Sequence, residues 1–165
     1  MKTNLLIDFS VDKQKNNIQV KREFTAPLNK VWEAWTESQL LNQWWAPKPY
    51  KAKTKVMDFR EGGYWLYSME GPEGDVHWSR ADFTSIAPLK SYSLLDAFCD
   101  ESGKINESLP RAKWNVQFTE SGNSTLVTID VKFEKPSDLE GTLDMGFKEG
   151  FIAAMENLDE IFNSK

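Results

Sequence analysis

Residues 136–162 read PSDLEGTLDMGFKEGFIAAMENLDEIF, and their spacing decides the fold. Leu139, Leu143, Phe147, Phe151, Ala154, Leu158, Ile161 and Phe162 recur at the intervals of one helical face, with Gly146 and Gly150 in the same stripe. Ser137 and Glu140 have capping-box spacing just after Pro136, and Asp138 and Glu140 bring negative charge to the positive end of a helix dipole. The pattern predicts one continuous C-terminal helix. At 1.5 Å per residue, about 25 residues would reach roughly 37 Å, which is long for a chain of this size.

Upstream of that helix the period changes from helical to alternating. Residues 50–59 (YKAKTKVMDF), 64–70 (YWLYSME), 76–86 (VHWSRADFTSI), 91–99 (SYSLLDAFC), 113–120 (KWNVQFTE) and 124–133 (STLVTIDVKF) are strand-like runs. Most are joined by turn chemistry: Glu61-Gly62-Gly63, Gly71-Pro72-Glu73-Gly74, Pro88-Leu89-Lys90 and Ser121-Gly122-Asn123. An antiparallel meander follows from such short connections. Asp100 to Ala112 is the exception, a polar connection with Gly103 and Pro110 that is long enough to fold over something.

The N-terminal third supplies two further runs, NLLIDFSV (4–11) and NIQVKREF (17–24), across the polar turn DKQKN. In the second run Ile18, Val20 and Phe24 share a face with Arg22, so one arginine stands in line with core residues. Pro27 then opens a helix carrying Val31, Trp32 and Trp35. Thr36 and Gln39 have capping-box spacing for a second short helix with Leu40, Leu41, Trp44 and Trp45, which must stop before Pro47. Two strands, two short helices, six strands and a long helix predict an α+β fold, with the last helix laid across one face of a curved antiparallel sheet. No repeat or change of composition divides residues 1–165, so a single domain is expected.

Composition narrows the function classes. Seven Trp, ten Phe and four Tyr make aromatic rings the main source of burial, each hiding about 150–250 Å². A net charge of -5 argues against nucleic acid as a partner. Leu5, Leu6 and Ile7 are stopped by Asp8, and no run is long enough for a signal peptide or a membrane span, so a cytoplasmic location is expected. One cysteine and one histidine exclude an internal disulfide, a paired-cysteine zinc site and a His-rich metal site. No G-x-S-x-G, P-loop or dinucleotide fingerprint is present, and neither a cofactor nor a metal is expected.

Candidate site residues lie on the strands and the last helix. Tyr64, Trp65, Tyr67, Trp78, Phe98, Trp114 and Phe118 would either fill a core or floor an apolar pocket roofed by the helix. Gly146 and Gly150 would either admit a large ring close to the helix or leave room for a ligand. Arg80 could enter an internal salt bridge, face solvent or contact a ligand. Its relation to Asp96 depends on the parity of the Pro88 turn. His77 and Asp96 are the weak candidates for acid–base chemistry, His77 having a loop-anchoring role as its alternative. Cys99 reads as a core thiol or a reactive one. Lys51, Lys53 and Lys55 read as a solvated face that discourages edge pairing, or as a dock for an acidic partner.

Four segments carry a family resemblance: REFTAPLNKVWEAWTESQLLNQWWAP, DFREGGYW, HWSRADFTSIAP and MGFKEGFIAAMENLDE. They resemble the bacterial branch related to the activator of the heat-shock-protein-90 ATPase (AHSA-like), within the START-like (SRPBCC) or helix-grip superfamily that includes the birch-pollen-allergen-like proteins. The resemblance runs from about Ile18 to Asn163. It implies a curved antiparallel sheet gripping the C-terminal helix, two short helices after the first long strand, and a cavity between sheet and helix. Trp44 and Trp45 would then end the second helix, with a ring packed near the cavity entrance. Chaperone-activating members carry a separate chaperone-binding domain with no counterpart in these residues, so chaperone activation is not expected. Superfamily relatives bind lipids, hormones or polyketides, and some are cyclases or hydrolases. The expectation is non-enzymatic binding of a small, largely apolar molecule, walled by Trp45, Trp65, Tyr67, Trp78, Arg80, Phe98, Trp114, Gly146, Gly150 and Phe151. The alternatives are an enzyme acting on an apolar substrate in the same cavity, and a chaperone-related or other module with a protein partner.

Overall fold

The computed structural model describes residues 7–163. Among them, strands β1 (Ile7–Asp12), β2 (Asn17–Phe24), β3 (Lys51–Met57), β4 (Tyr64–Glu70), β5 (Val76–Ala87), β6 (Ser91–Cys99), β7 (Lys113–Ser121) and β8 (Ser124–Lys132) form one antiparallel sheet. Its order is β1-β2-β8-β7-β6-β5-β4-β3. Helices α1 (Leu28–Thr36) and α2 (Ser38–Trp44) carry the chain from β2 to the opposite edge at β3, and α3 (Pro136–Asp144) and α4 (Phe147–Asn163) follow β8. This is the α+β helix-grip fold, with α4 the helix that the sheet holds. Of the first sequence run, residues 4–6 lie outside the described residues.

Alternation sets the inner face. Ile18, Val20, Arg22 and Phe24 of β2 are buried, as are Val127, Ile129 and Val131 of β8 and Trp114, Val116 and Phe118 of β7. From the other side, α4 buries Phe151, Ala154, Met155 and Leu158. Arg22, 4% exposed, forms an ion pair with Asp159 of α4 and lies 5.2 Å from the Phe24 ring centroid. Asn157 donates to the carbonyl of Ala46 at 3.0 Å, which ties α4 to the end of α2. Satisfying these polar groups against the helix fixes its position over the sheet.

Trp44 is fully buried and donates its indole N–H to the Ala34 carbonyl at 2.9 Å, locking α2 against α1. Pro47 follows one residue after Ala46, so the tryptophan pair anchors the point where the chain leaves the helix and turns toward β3.

The C-terminal stripe requires a correction. It forms two helices, because Gly146 has φ +89° and stands between α3 and α4. The Met145 N–H donates to Gly141 O and the Gly146 N–H to Leu143 O, both at 3.1 Å, closing α3 in the manner of a glycine C-cap. α4 has 17 residues and is about 25 Å long. Neither capping box forms: Lys135 occupies the N-cap of α3 and Glu37 that of α2, without side-chain caps. The Thr36 hydroxyl instead donates to Trp32 O inside α1.

Candidate functional site

The concave face of the sheet and the α3–α4 segment enclose a cleft of two joined lobes. One, of about 460 Å³, lies beside α4 and is bounded by Trp45, Tyr67, Gly150 and Phe151. The other, of about 490 Å³, lies beside α3 and is bounded by Leu109, Pro110, Asp138 and Gly146. Met69, Asp96, Phe98, Trp114, Met145 and Phe147 border both. Deeper under the sheet, among buried rings, lies a smaller void of about 60 Å³ beside Trp35, Trp65 and Tyr92. Core and pocket are therefore both present. The N-terminal end of α4 stands over the open part.

Packing and hydrogen bonds hold the aromatic walls in place. Trp45 lies 5.5 Å from Trp65, 6.0 Å from Trp114 and 6.0 Å from Phe151, between ring centroids. Its indole N–H donates to the Tyr67 hydroxyl at 3.0 Å, and Tyr67 stacks on Trp65 at 4.0 Å. Burial pushes the Tyr67 phenol up to about 12, against the bond from Trp45 that lowers it. Phe147 stacks on Phe151 at 5.4 Å. The mouth is apolar as well: Met145 is 66% exposed, Leu109 40% and Phe98 38%.

Gly150 explains part of the space. A Cβ built there meets only Pro47 Cγ, at 3.8 Å, so no ring presses on the helix at this residue. Its missing side chain leaves room in the lobe beside α4. Gly146 has a different reason for being glycine, its left-handed backbone between the helices.

Asp96 is the charged group in the floor, near Ser79. It sits opposite Ala81 on the inner face, accepting the Ala112 N–H at 2.7 Å on Oδ1 and the Trp114 indole N–H at 2.8 Å on Oδ2. Burial raises its pKa, while those two donors and the Arg111 charge pull it down. His77 stands at the rim, with its side chain 62% exposed and Nε2 3.3 Å from Asp75 Oδ2. The Tyr50 hydroxyl donates to the same Asp75 carboxylate, whose pKa is lowered chiefly by that bond. His77 therefore belongs to a surface cluster with Tyr50 and Asp75.

Two sequence candidates need correction. Trp78 and Arg80 project from the opposite face of β5, next to Ser68 and Leu66 of β4. The cause is a register shift between Phe83 and Ser85. Continuing the Ser85–Ser93 register would have set Arg80 against Phe98 and Asp82 against Asp96; the bulge sets Arg80 against Ala97 and Asp96 against Ala81. Arg80 borders the small void, but its guanidinium bonds Asp82 at 2.6 Å and Gly103 O at 2.8 Å and lies 4.3 Å from the Tyr64 centroid. Arg111 bonds the other Asp82 oxygen, so the 100–112 connection is pinned across the outer face. Lys55 reaches over Trp78, 5.9 Å from its ring centroid. Burial raises the pKa of the half-buried Cys99 thiol, and Cys99 bridges Ile105 in the same connection.

Trp45, Tyr67, Phe98, Trp114, Gly146, Gly150 and Phe151 thus meet around one cleft, with Trp65 behind Tyr67. Sequence reading missed Met69, Met145 and the Leu109-Pro110 pair. The pair was visible as an apolar break in a polar connection. Among the described residues, no three His, Cys, Asp or Glu side chains gather to hold a metal ion, and no helix is long and apolar enough to cross a membrane.

Comparisons with known proteins agree with this architecture. The chain is similar over its length to protein Ms6760 from Mycobacterium smegmatis, with 28% identity, 98% of this chain and 99% of that chain covered, and a TM-score of 0.89. It is similar to a protein from Arthrobacter aurescens at 27% identity, covering 96% and 92% of the two chains with a TM-score of 0.90. A protein from Staphylococcus epidermidis gives 27%, 93%, 93% and 0.82 for the same quantities. None of the curated proteins matches the chain. The model of the family described as "Activator of Hsp90 ATPase homolog 1-like protein" matches residues 25–163, and the chain belongs to that family.

Proposed function

We propose that this protein binds a small, largely apolar molecule, without catalysing its conversion, in the cleft between the sheet and the α3–α4 segment. The observation that carries the reading is the pair of joined lobes, each within the usual range of about 300–1,000 Å³ for ligand pockets, with Met69, Phe98, Trp114, Met145 and Phe147 bordering both. An apolar mouth formed by Met145, Leu109 and Phe98 suits entry of an apolar molecule. Binding is favoured over catalysis because His77 is engaged with Asp75 at the rim and both Asp96 oxygens accept N–H groups that fix the fold. The lysines of β3 support the edge-protection reading: β3 is a sheet edge, Lys53 pairs with Glu70 at 3.0 Å, and Lys55 donates to Glu101 O at 3.0 Å.

Native mass spectrometry of the freshly purified protein, beside a denaturing run of the same sample, tests the proposal, with a calorimetric titration of 2-naphthalenemethanol as the second arm. A mass excess lost on denaturation, or saturable binding of the neutral alcohol, is the expected result. Protein at its bare mass that also fails to bind the alcohol would overturn it.

A further inference from the structure

The cleft is chemically lopsided. Among the described residues that line its two lobes there is no Lys or Arg, while Asp96 lies in the floor and Asp138 in the first turn of α3. Asp96 is half-buried, and each of its oxygens receives one neutral N–H, whereas a carboxylate oxygen can accept two. The nearby guanidiniums are engaged elsewhere. Arg111 gives Nη2 to Asp82 and Nε to the backbone oxygen of Asp96, and Arg80 spends its donors on Asp82 and Gly103. A half-buried carboxylate that feels Arg111 only through its field, Arg111 being paired with Asp82, is costly to keep ionised, and a cation arriving in the cleft would relieve that cost.

The rings around it point the same way. Trp114 donates to Asp96 and lies 6.0 Å from Trp45, 5.9 Å from Phe147 and 5.7 Å from Phe151. Aromatic faces attract cations most strongly where water is excluded. A carboxylate or phosphate ligand would meet Asp96 and Asp138 with no Lys or Arg among the described lining residues to receive it, and His77 at the rim is already engaged with Asp75.

Resting on the binding function proposed above, we infer that the ligand is a hydrophobic amine, whose ammonium group sits at Asp96 among Trp45, Trp114 and Phe147 while its hydrocarbon fills the two lobes. The same charges disfavour a fatty acid, an aryl carboxylate or a phospho-ester.

Three molecules with one hydrocarbon body provide the test: 2-naphthylmethylamine, 2-naphthalenemethanol and 2-naphthoic acid, titrated calorimetrically into the protein at pH 7. The amine should bind at least about tenfold more tightly than the alcohol, with the acid weakest. Asp96→Asn should reduce the amine-to-alcohol ratio to near one. An amine that binds no better than the alcohol in the unaltered protein, or an acid that binds as well as the amine, would overturn the inference and leave the apolar-cleft reading standing. Persistence of the tenfold preference in Asp96→Asn would overturn the role of Asp96. Failure of all three molecules, the neutral alcohol included, would remove the cleft reading and this inference together. The ranking in the unaltered chain needs no variant, so it decides the matter even where Asp96→Asn does not fold.

Discussion

Gly150 offers a perturbation in which stability and binding should move in opposite directions. Its N–H donates to Gly146 O at 2.9 Å, so the residue is helical, and a Cβ there would meet nothing nearer than Pro47 Cγ at 3.8 Å. Alanine at this position should therefore gain most of the helix propensity that glycine forgoes, about 0.8–1.0 kcal/mol, without a steric penalty. In a chain of this length that raises the Tm by about 2–4 °C. Leucine has nearly the same propensity, but its branched end must enter the lobe of about 460 Å³ beside α4. Overlap with an occupant of that lobe should cost binding about 1–3 kcal/mol. Calorimetric unfolding gives the stabilities, and titration with 2-naphthalenemethanol gives the affinities. Gly150→Ala and Gly150→Leu should both melt higher, and only Gly150→Leu should lose affinity substantially. Two destabilised variants would refute the claim that the helix has room there. A stable Gly150→Leu with unchanged affinity would remove Gly150 from the site.

Other expectations follow from the same geometry. Asp159→Ala should destabilise the protein by about 3 kcal/mol in urea unfolding, at the low end for breaking a buried pair because the Asp159 side chain is 30% exposed while Arg22 is buried. Tyr67→Phe should cost about 1–2 kcal/mol near neutral pH, since the Trp45 indole N–H loses its acceptor. With the Tyr67 pKa raised from 10.0 to about 12, its stabilising contribution is complete below pH 10 and is lost as pH rises to 12. Stability measured across that window should fall by roughly 2–3 kcal/mol more in the unaltered protein than in Tyr67→Phe. Trp78→Ala, on the outer face beside Lys55, should leave the affinity for 2-naphthalenemethanol within about twofold of the unaltered protein, because additivity holds for sites without shared partners.

The elements of the fold were legible because each rests on local chemistry. Ile18, Val20 and Phe24 alternate, the turn residues stand where strands end, and Arg22 shares the core face as its register requires. The helix length was misread because Gly146 fits the apolar stripe, and nothing in its neighbours announces a φ of +89°. The site was legible only in part, for a reason of parity. A single bulge between Phe83 and Ser85 decides which of Arg80 and Asp96 faces the cleft, and neither residue type betrays a bulge. Trp45 was recognisable as an anchor near the entrance, but its bond to Tyr67 depends on how α2 meets β4 across the core, a relation between distant segments.

The most direct test of the account reads the indole N–H resonances of the seven tryptophans in a two-dimensional proton–nitrogen spectrum while 2-naphthalenemethanol is added. Trp45 and Trp114 line the cleft, whereas Trp44 is sealed against Ala34 and Trp78 lies on the outer face. Saturable shifts at Trp45 and Trp114, with Trp44 and Trp78 unmoved, are the predicted result. Shifts centred on Trp78, or none at any indole up to saturating alcohol, would contradict the claim that this cleft is where the protein binds its ligand.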